Sequence, residues 1–489
     1  MMVKLKTNAF YNILLTGSGL VLPLITFPYV TRILAPEGIG HVNFANSFIQ
    51  YFVILTSLGI PLYGIREVAK VKESLVARSK ILFELLSIKV GCTIVGILIY
   101  LLLIFTIGKF HDSLIYYLLG ISTIIIGIFD LNYFFYALED FKYITIRTVF
   151  FQVVSVIITF ILIKTKEDTL IYFCIPILIS LLNTVINTKY ILKFIDFKVL
   201  SSKLDIRTHI KPLLLLFSVM VFTSIYNLLD TTILGFIAGD ASVGFYTVAS
   251  RINKIPLSLI MVLVPVMLPR ISVEFKNENH TEINRLISKT LQFVILLGVP
   301  IMVGLYLLAP EIITLFSGKA FSSSITTLRI MCPIILVIGM TTNFSTQLLI
   351  PMGKDKQLLN AVIMGTVVSL ILNITLIPVF QENGAAISNL LAELVVLVSC
   401  YLYVRKSIEV KIPFQQIILL TVLCMPFFGF VILSRVIFSI PIFVLLSAVC
   451  FCALYFLILQ VFVLKNTMIL EVVSTVKSKI SKKPSNFPA

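Results

Sequence analysis

The chain has 489 residues, of which 58% are apolar and only 13% charged. That charged share is about half of what a water-soluble domain carries, which excludes a soluble globular fold and points to an integral membrane protein. The net charge of +16 does not indicate a nucleic-acid partner, because the bases lie in short segments between apolar runs, where they set orientation.

In chain order, fourteen mainly apolar runs are long enough to cross a bilayer: 8–34, 38–64, 80–107, 113–137, 143–164, 168–194, 210–238, 242–269, 285–309, 325–351, 357–379, 384–404, 414–434 and 440–464. The runs are continuous, without the alternating ten-residue pattern of a barrel strand, so helices are expected. Lys4 and Lys6 precede the first run, but no small-x-small cleavage site follows it, and it reads as an uncleaved span. The seven cysteines fall inside apolar runs and form no CxxC pair, so they read as small hydrophobes. With the N-terminus on the cytoplasmic side, 29 of the 39 bases lie in or beside cytoplasmic segments. This asymmetry predicts that both termini are cytoplasmic, in a multi-pass protein of a bacterial cytoplasmic membrane.

The first and seventh runs open similar hairpins. Residues 33–45 read ILAPEGIGHVNFA and residues 236–249 read FIAGDASVGFYTVA. An offset of 204 matches Gly40 with Gly244, Ala45 with Ala249, Pro61 with Pro265 and Arg66 with Arg270. Drifting offsets then match Arg78 with Arg285, Gly91 with Gly298, Lys142 with Lys356, and Val153-Val154-Ser155 with Val367-Val368-Ser369. Six spans per copy give both copies the same orientation, a parallel repeat about an axis along the membrane normal, with a cavity between the halves. The expected fold class is therefore all-α, with about 14 transmembrane helices in two six-helix bundles plus two C-terminal helices. Its divisions are a bundle over 1–200, its repeat over 201–410, two additional spans over 411–466 and a basic tail over 467–489.

Ionisable groups inside the spans are the candidate functional residues, since each costs roughly 2.5–3.5 kcal/mol at helix centre unless paired or wetted. Asp230 and Arg251 flank the hairpin turn near 239–240 and should both lie about 15 Å below it, at 1.5 Å per residue. They are placed either to pair directly or to line one aqueous cavity. Lys254 shares a helical face with Arg251. The first-half positions matching these two bases are Ser47 and Gln50, both uncharged, so the scaffold does not need charge there, and the excess of bases suits an anion. Lys89 lies deep in the third run; Arg32 sits near the outer end of the first; Arg66 and Arg270 close the second and eighth runs. Asp130 and Asn132 are placed to meet Arg147. Glu393, nine residues into the twelfth run, is a candidate proton or cation site, with Asp230 and Asp130 as further acids for ion coupling. Asn43, Asn46, Gln50, Asn227 and Asn253 offer hydrogen bonds to a sugar. No GxxxxGK[ST] loop occurs, the four histidines are scattered, and no nucleophile-base spacing argues for catalysis. The chain reads as a transporter and not an enzyme, without a metal or other cofactor.

The run PYVTRILAPEGIGHVNFANSFIQYFVILTSLGIPLYGIREVAK (28–70) resembles the first-hairpin signature of Wzx-type polysaccharide repeat-unit flippases, of the multidrug/oligosaccharidyl-lipid/polysaccharide exporter superfamily. The run YNLLDTTILGFIAGDASVGFYTVASRINKIPLSLIMVLVPVMLPRIS (226–272) resembles the equivalent second-half segment. The resemblance implies translocation of an undecaprenyl-diphosphate-linked oligosaccharide to the outer leaflet by alternating access. It also implies a cationic cavity for the diphosphate, coupling to an H+ or Na+ gradient or to membrane potential, and partners among polysaccharide polymerases and glycosyltransferases. By this resemblance Arg32, Arg66, Asp230, Arg251 and Arg270 occupy charged positions of the family segments. Two alternatives within the superfamily are a drug/cation antiporter, which is expected to need acids in span 1, and a peptidoglycan-precursor flippase, which is expected to carry deeper arginines there. Span 1 has no Asp or Glu, and only Arg32 near its end. A membrane glycosyltransferase is disfavoured because the outer connections APEG, AGDA and QENG are too short to carry a catalytic loop.

Overall fold

The structure, a computed structural model, describes residues 2–201, 204–410 and 412–464, and these contain helices and no strand. The first half comprises α1 (Met2–Ser57), α2 (Ile60–Lys70), α3 (Leu75–Thr106), α4 (Leu114–Ile128), α5 (Asn132–Ala137), α6 (Phe141–Leu162) and α7 (Thr169–Ile191). The second comprises α8 (Arg207–Ile237), α9 (Asp240–Ile260), α10 (Leu263–Lys276), α11 (His280–Leu307), α12 (Ala309–Ser317), α13 (Ser324–Met331), α14 (Ile334–Phe344) and α15 (Asp355–Arg405). Three further helices follow: α16 (Phe414–Leu423), α17 (Pro426–Ile437) and α18 (Pro441–Ile458). The tail expected over 467–489 lies outside the described residues. Several starts are set by side-chain caps on otherwise orphaned amides, with Ser74, Asp140 and Asn279 accepting from Ala77, Tyr143 and Glu282.

Ten helical stretches among the described residues are long and apolar enough to cross a membrane, against fourteen expected. The difference has two causes. The expected pairs 8–34 with 38–64 and 357–379 with 384–404 each run through one nearly continuous helical stretch, broken only by non-helical residues such as Ala35 and Gln381. In the next hairpin, α9 is diluted by its own Asp240, Arg251, Asn253 and Lys254, and of α8 the stretch Ser224–Ile237 counts, among the described residues, as a shorter apolar helix.

The two similar hairpins turn with the same backbone conformation. Ala35 has φ 60° and ψ 179°, and Gly239, 204 residues on, has φ 83° and ψ −179°. The two turns then pack on each other reciprocally. A Cβ on Gly40 would lie 1.6 Å from the carbonyl oxygen of Asp240, and one on Gly244 would lie 2.1 Å from that of Pro36. Asp240 is itself the counterpart of Pro36, so each hairpin presents the same patch to the other, as a two-fold relation requires. The glycines let the backbones touch, and the seam is closed at this hairpin end.

One apolar core runs through both halves, from Phe27 and Phe48 to Phe344 and Phe456. A second, smaller core lies at the opposite, base-rich end and gathers Ile60, Leu85, Phe134, Phe135 and Ile191. Leu213 of α8 belongs to it, so the base-rich end of α8 packs on the first half while its hairpin end packs on α15.

Candidate functional site

Asp230 sits on α8 at 2% exposure, and of the two arrangements open to it and Arg251, direct pairing is not the one found. Its Oδ1 accepts from Asn373 Nδ2 at 2.7 Å and Ser369 Oγ at 3.2 Å. Its Oδ2 accepts from the Tyr246 hydroxyl at 2.7 Å and Asn389 Nδ2 at 2.8 Å. All four donors are neutral. The physical reason is helix phase: Tyr246 and Arg251 are five residues apart on α9, hence about 140° around the helix, so the face that meets Asp230 is not the arginine's.

Glu393 extends this cluster. It lies one turn beyond Asn389 on α15, against the Tyr226 hydroxyl and near Asp230. The Asn373 Oδ1 is buried without a partner. Two carboxyls, two carboxamides and two phenols from three helices thus converge in a site with no base inside it. Sequence reasoning found the acids and missed Tyr226, Tyr246, Ser369, Asn373 and Asn389. The available signal was the polar spacing: Ser369 with Asn373, and Asn389 with Glu393, are i,i+4 pairs inside otherwise apolar spans.

The bases lie on the other side of α9. The Arg251 guanidinium stacks on the Phe27 ring of α1 at 4.0 Å from its centroid, and among the described residues it has no hydrogen bond or ion pair. Lys254 is exposed although it stands in a membrane-depth helix. It is likewise without a partner, and its charged neighbours are Arg251 and Asp230. Asn227 is exposed one turn before Asp230. Across the seam, Thr232 Oγ1 bonds the Ser47 hydroxyl at 3.1 Å, and Gln50 of α1 is exposed.

The remaining candidates are placed elsewhere. Arg32 donates to the Leu315 carbonyl in the last turn of α12, where it satisfies a helix C-terminus at the hairpin end. Arg66 is exposed beside Glu67, and Arg270 reaches Glu282 at 3.3 Å, which also holds Arg285. Both stand at the base-rich end. Lys89 is buried and donates to the Asp130 carbonyl at 3.3 Å. The Asp130 carboxylate is exposed and bonds Asn132 Nδ2 at 2.7 Å, and Asn132 Oδ1 accepts from Arg147 at 2.7 Å. Two further cross-connections were not anticipated. His41 Nδ1 meets Asp240 Oδ2 at 2.6 Å in the hairpin seam. His209 of α8 bridges Glu84 at 2.9 Å and Tyr63 at 2.8 Å at the base-rich end.

A family model described as "Polysaccharide biosynthesis protein" matches residues 5–275, more than half of the chain. The chain belongs to the polysaccharide biosynthesis protein family. A second model, MatE, matches residues 216–375 of this family member. A protein of Escherichia coli (strain K12) named "Putative O-antigen transporter" is 25% identical over 410 residues, covering 83% of this chain and 98% of that one. The lipid II flippase MurJ of Bacillus subtilis (strain 168) is 25% identical over 178 residues, 35% of this chain and 32% of that protein. Among solved structures, a lipid II flippase MurJ in an inward closed conformation superposes with a TM-score of 0.76 at 18% identity, over 94% of this chain and all of that one. An inward-facing multidrug resistance transporter of the MATE family gives 0.62 at 14% identity, over 80% and 94%. These two likenesses establish the fold. The all-α membrane architecture expected from the apolar runs is that of this family member, and the relatives it resembles are named as a transporter and a flippase.

Proposed function

We propose that this family member is a flippase for undecaprenyl-diphosphate-linked oligosaccharide units, moving them from the cytoplasmic to the outer leaflet for a capsule, O-antigen or teichoic-type polysaccharide. The observation that carries the reading is the pair Arg251 and Lys254, which stand unpaired at membrane depth behind a sealed hairpin end. A buried acid lies beside them, but neutral donors already satisfy it, so the positive charge is uncancelled and suits a diphosphate. Gln50 and Asn227 offer hydrogen bonds to the sugar. An apolar groove of 570 Å³, lined in part by Ile252, Pro256, Leu297, Phe427 and Phe456, begins one residue from Arg251 and suits the lipid tail. In this reading the base-rich end is cytoplasmic and the sealed seam marks a state closed to the outside.

The Asp230–Glu393 cluster is the proposed coupling site. A proton on Glu393, or a Na+ held by its carboxylate with the free Oδ1 of Asn373, would alter charge where α8, α9 and α15 meet. Those helices must shift when the halves exchange access. Glycosyltransferases that build the unit and a polymerase that consumes it are the proposed pathway partners.

Reconstitution into proteoliposomes tests the flippase reading: units that cross equally fast without the protein would sink it. Rescue of cells that lack lipid II flipping would instead favour the peptidoglycan-precursor alternative. Within the proposal, Arg251→Ala should lower transport about ten- to a hundredfold, the worth of one lost charge-assisted hydrogen bond, and Arg251→Lys should keep part of it. Full activity of both variants would make Arg251 a packing residue. Transport driven by imposed Na+ or H+ gradients should lose its gradient response in Glu393→Gln.

A further inference from the structure

At the base-rich end the two arms of α15, before and after Gln381, leave a cleft of 480 Å³ between them, lined by Met364, Ser399, Leu402, Tyr403, Arg405 and Lys406. This cleft faces away from the Asp230 cluster. On the first arm Ala361, Gly365, Ser369 and Asn373 are buried, whereas Met364, Val367, Ile371 and Ile374 are exposed. On the second arm Ala392, Val396 and Cys400 are buried, whereas Leu391, Leu394, Val398 and Leu402 are exposed. Such aliphatic stripes at membrane depth meet acyl chains, so the cleft opens toward lipid.

Its chemistry changes along its length. Met364 lies nine residues into α15, about 14 Å from the base-rich end at 1.5 Å per residue. The Ser399 hydroxyl closes over its sulfur at 3.9 Å, which leaves the floor apolar. At the rim Arg405 and Lys406 are exposed, and neither forms an ion pair or side-chain hydrogen bond among the described residues. Lys354 adds a third base beside them, tied to the Ser407 hydroxyl. Tyr403 stands at the level where amphipathic rings favour the membrane interface.

We infer that this cleft is a binding site for an anionic phospholipid of the adjoining leaflet. The headgroup phosphate sits between Arg405 and Lys406, and one acyl chain lies along Leu402 and Met364. Unpaired bases over an apolar slot satisfy both ends of such a lipid, whereas a free anion would gain nothing from the slot and a neutral lipid nothing from the rim. The site is independent of the flippase reading, because none of its residues contacts the carboxylate cluster or the Arg251 pair.

The test uses the purified full-length protein in a neutral detergent, titrated with phosphatidylglycerol, phosphatidylcholine or inorganic phosphate and read by native mass spectrometry and melting temperature. Phosphatidylglycerol should bind at least about tenfold more tightly than phosphatidylcholine and raise the melting temperature. The double variant Arg405→Gln/Lys406→Gln should weaken phosphatidylglycerol roughly thirtyfold and leave phosphatidylcholine unchanged. Leu402→Trp, which fills the floor and keeps both bases, should weaken both lipids. Equal affinity for the two lipids, full phosphatidylglycerol affinity in the double variant, or displacement of the lipid by equimolar phosphate would each overturn the assignment.

Discussion

In the first half, the two buried bases are each occupied by a neutral oxygen at the break between α4 and α5: Lys89 by the Asp130 carbonyl, Arg147 by the Asn132 side chain. Arg147 also lies over the Tyr143 ring at 5.2 Å. In the second half the acid Asp230 is buried among neutral donors, and Arg251 and Lys254 near it are unoccupied. Both halves keep the same hairpin turn and the same glycine contact. At the first-half counterpart of Asp230 stands Thr26, whose hydroxyl bonds only carbonyls of its own helix, and at those of Arg251 and Lys254 stand Ser47 and Gln50. The shared scaffold therefore packs without these charges. Charge at 230, 251 and 254 answers a demand that helix packing does not make, whereas Lys89 and Arg147 tie down an interrupted helix whose freed backbone groups need partners.

This contrast can be broken by substitution. The largest effects should be symmetric: Gly40→Val and Gly244→Val each force a side chain into a backbone carbonyl and should cost about 3 kcal/mol or more. Both should block hairpin-end closure, measured as loss of crosslinking between cysteines placed across the seam. A strong defect in one and none in the other would mean the two-fold seam is not what holds the halves together. Next, Asp230→Asn keeps shape but removes the charge that four donors face, and should reduce transport about a hundredfold while lowering stability by roughly 1–3 kcal/mol. Normal transport by a correctly inserted Asp230→Asn protein would reduce the cluster to packing. The smallest effect belongs to the first half. Lys89→Met preserves volume and removes one weak hydrogen bond, so it should change stability by about 1 kcal/mol and leave transport within about twofold. A transport defect as deep as that of Arg251→Ala would place Lys89 in the anion path after all.

Much of the scaffold was legible in the sequence. Apolar runs of bilayer length marked the helices, and the paired turns at Ala35 and Gly239 marked the repeat, because both signals are local. The identities of the deep charges were equally plain. What each charge touches was not. The donors to Asp230 lie 139, 143 and 159 residues away on α15, and Tyr246 lies across the hairpin. Arg32 illustrates the opposite error in reach, since its place near a span end says nothing of α12, whose carbonyl it meets 283 residues later. In helices apolar on every side, hydropathy does not distinguish the face toward lipid from the face toward another helix.

The sequence by itself determined that this protein spans a membrane with helices and that, of two similar hairpin segments, the second carries bases and an acid where the first carries hydroxyls and an amide. These follow from bilayer thickness, the cost of unsatisfied backbone and the cost of buried charge, all of which act along the chain. Only the tertiary structure decided that Asp230 is satisfied by neutral donors, that Arg251 and Lys254 are left uncancelled, and that Gly40 and Gly244 seal one end. Those outcomes depend on how helices are rotated about their axes and where they cross. A rotation of 100° per residue sends neighbouring side chains to different partners.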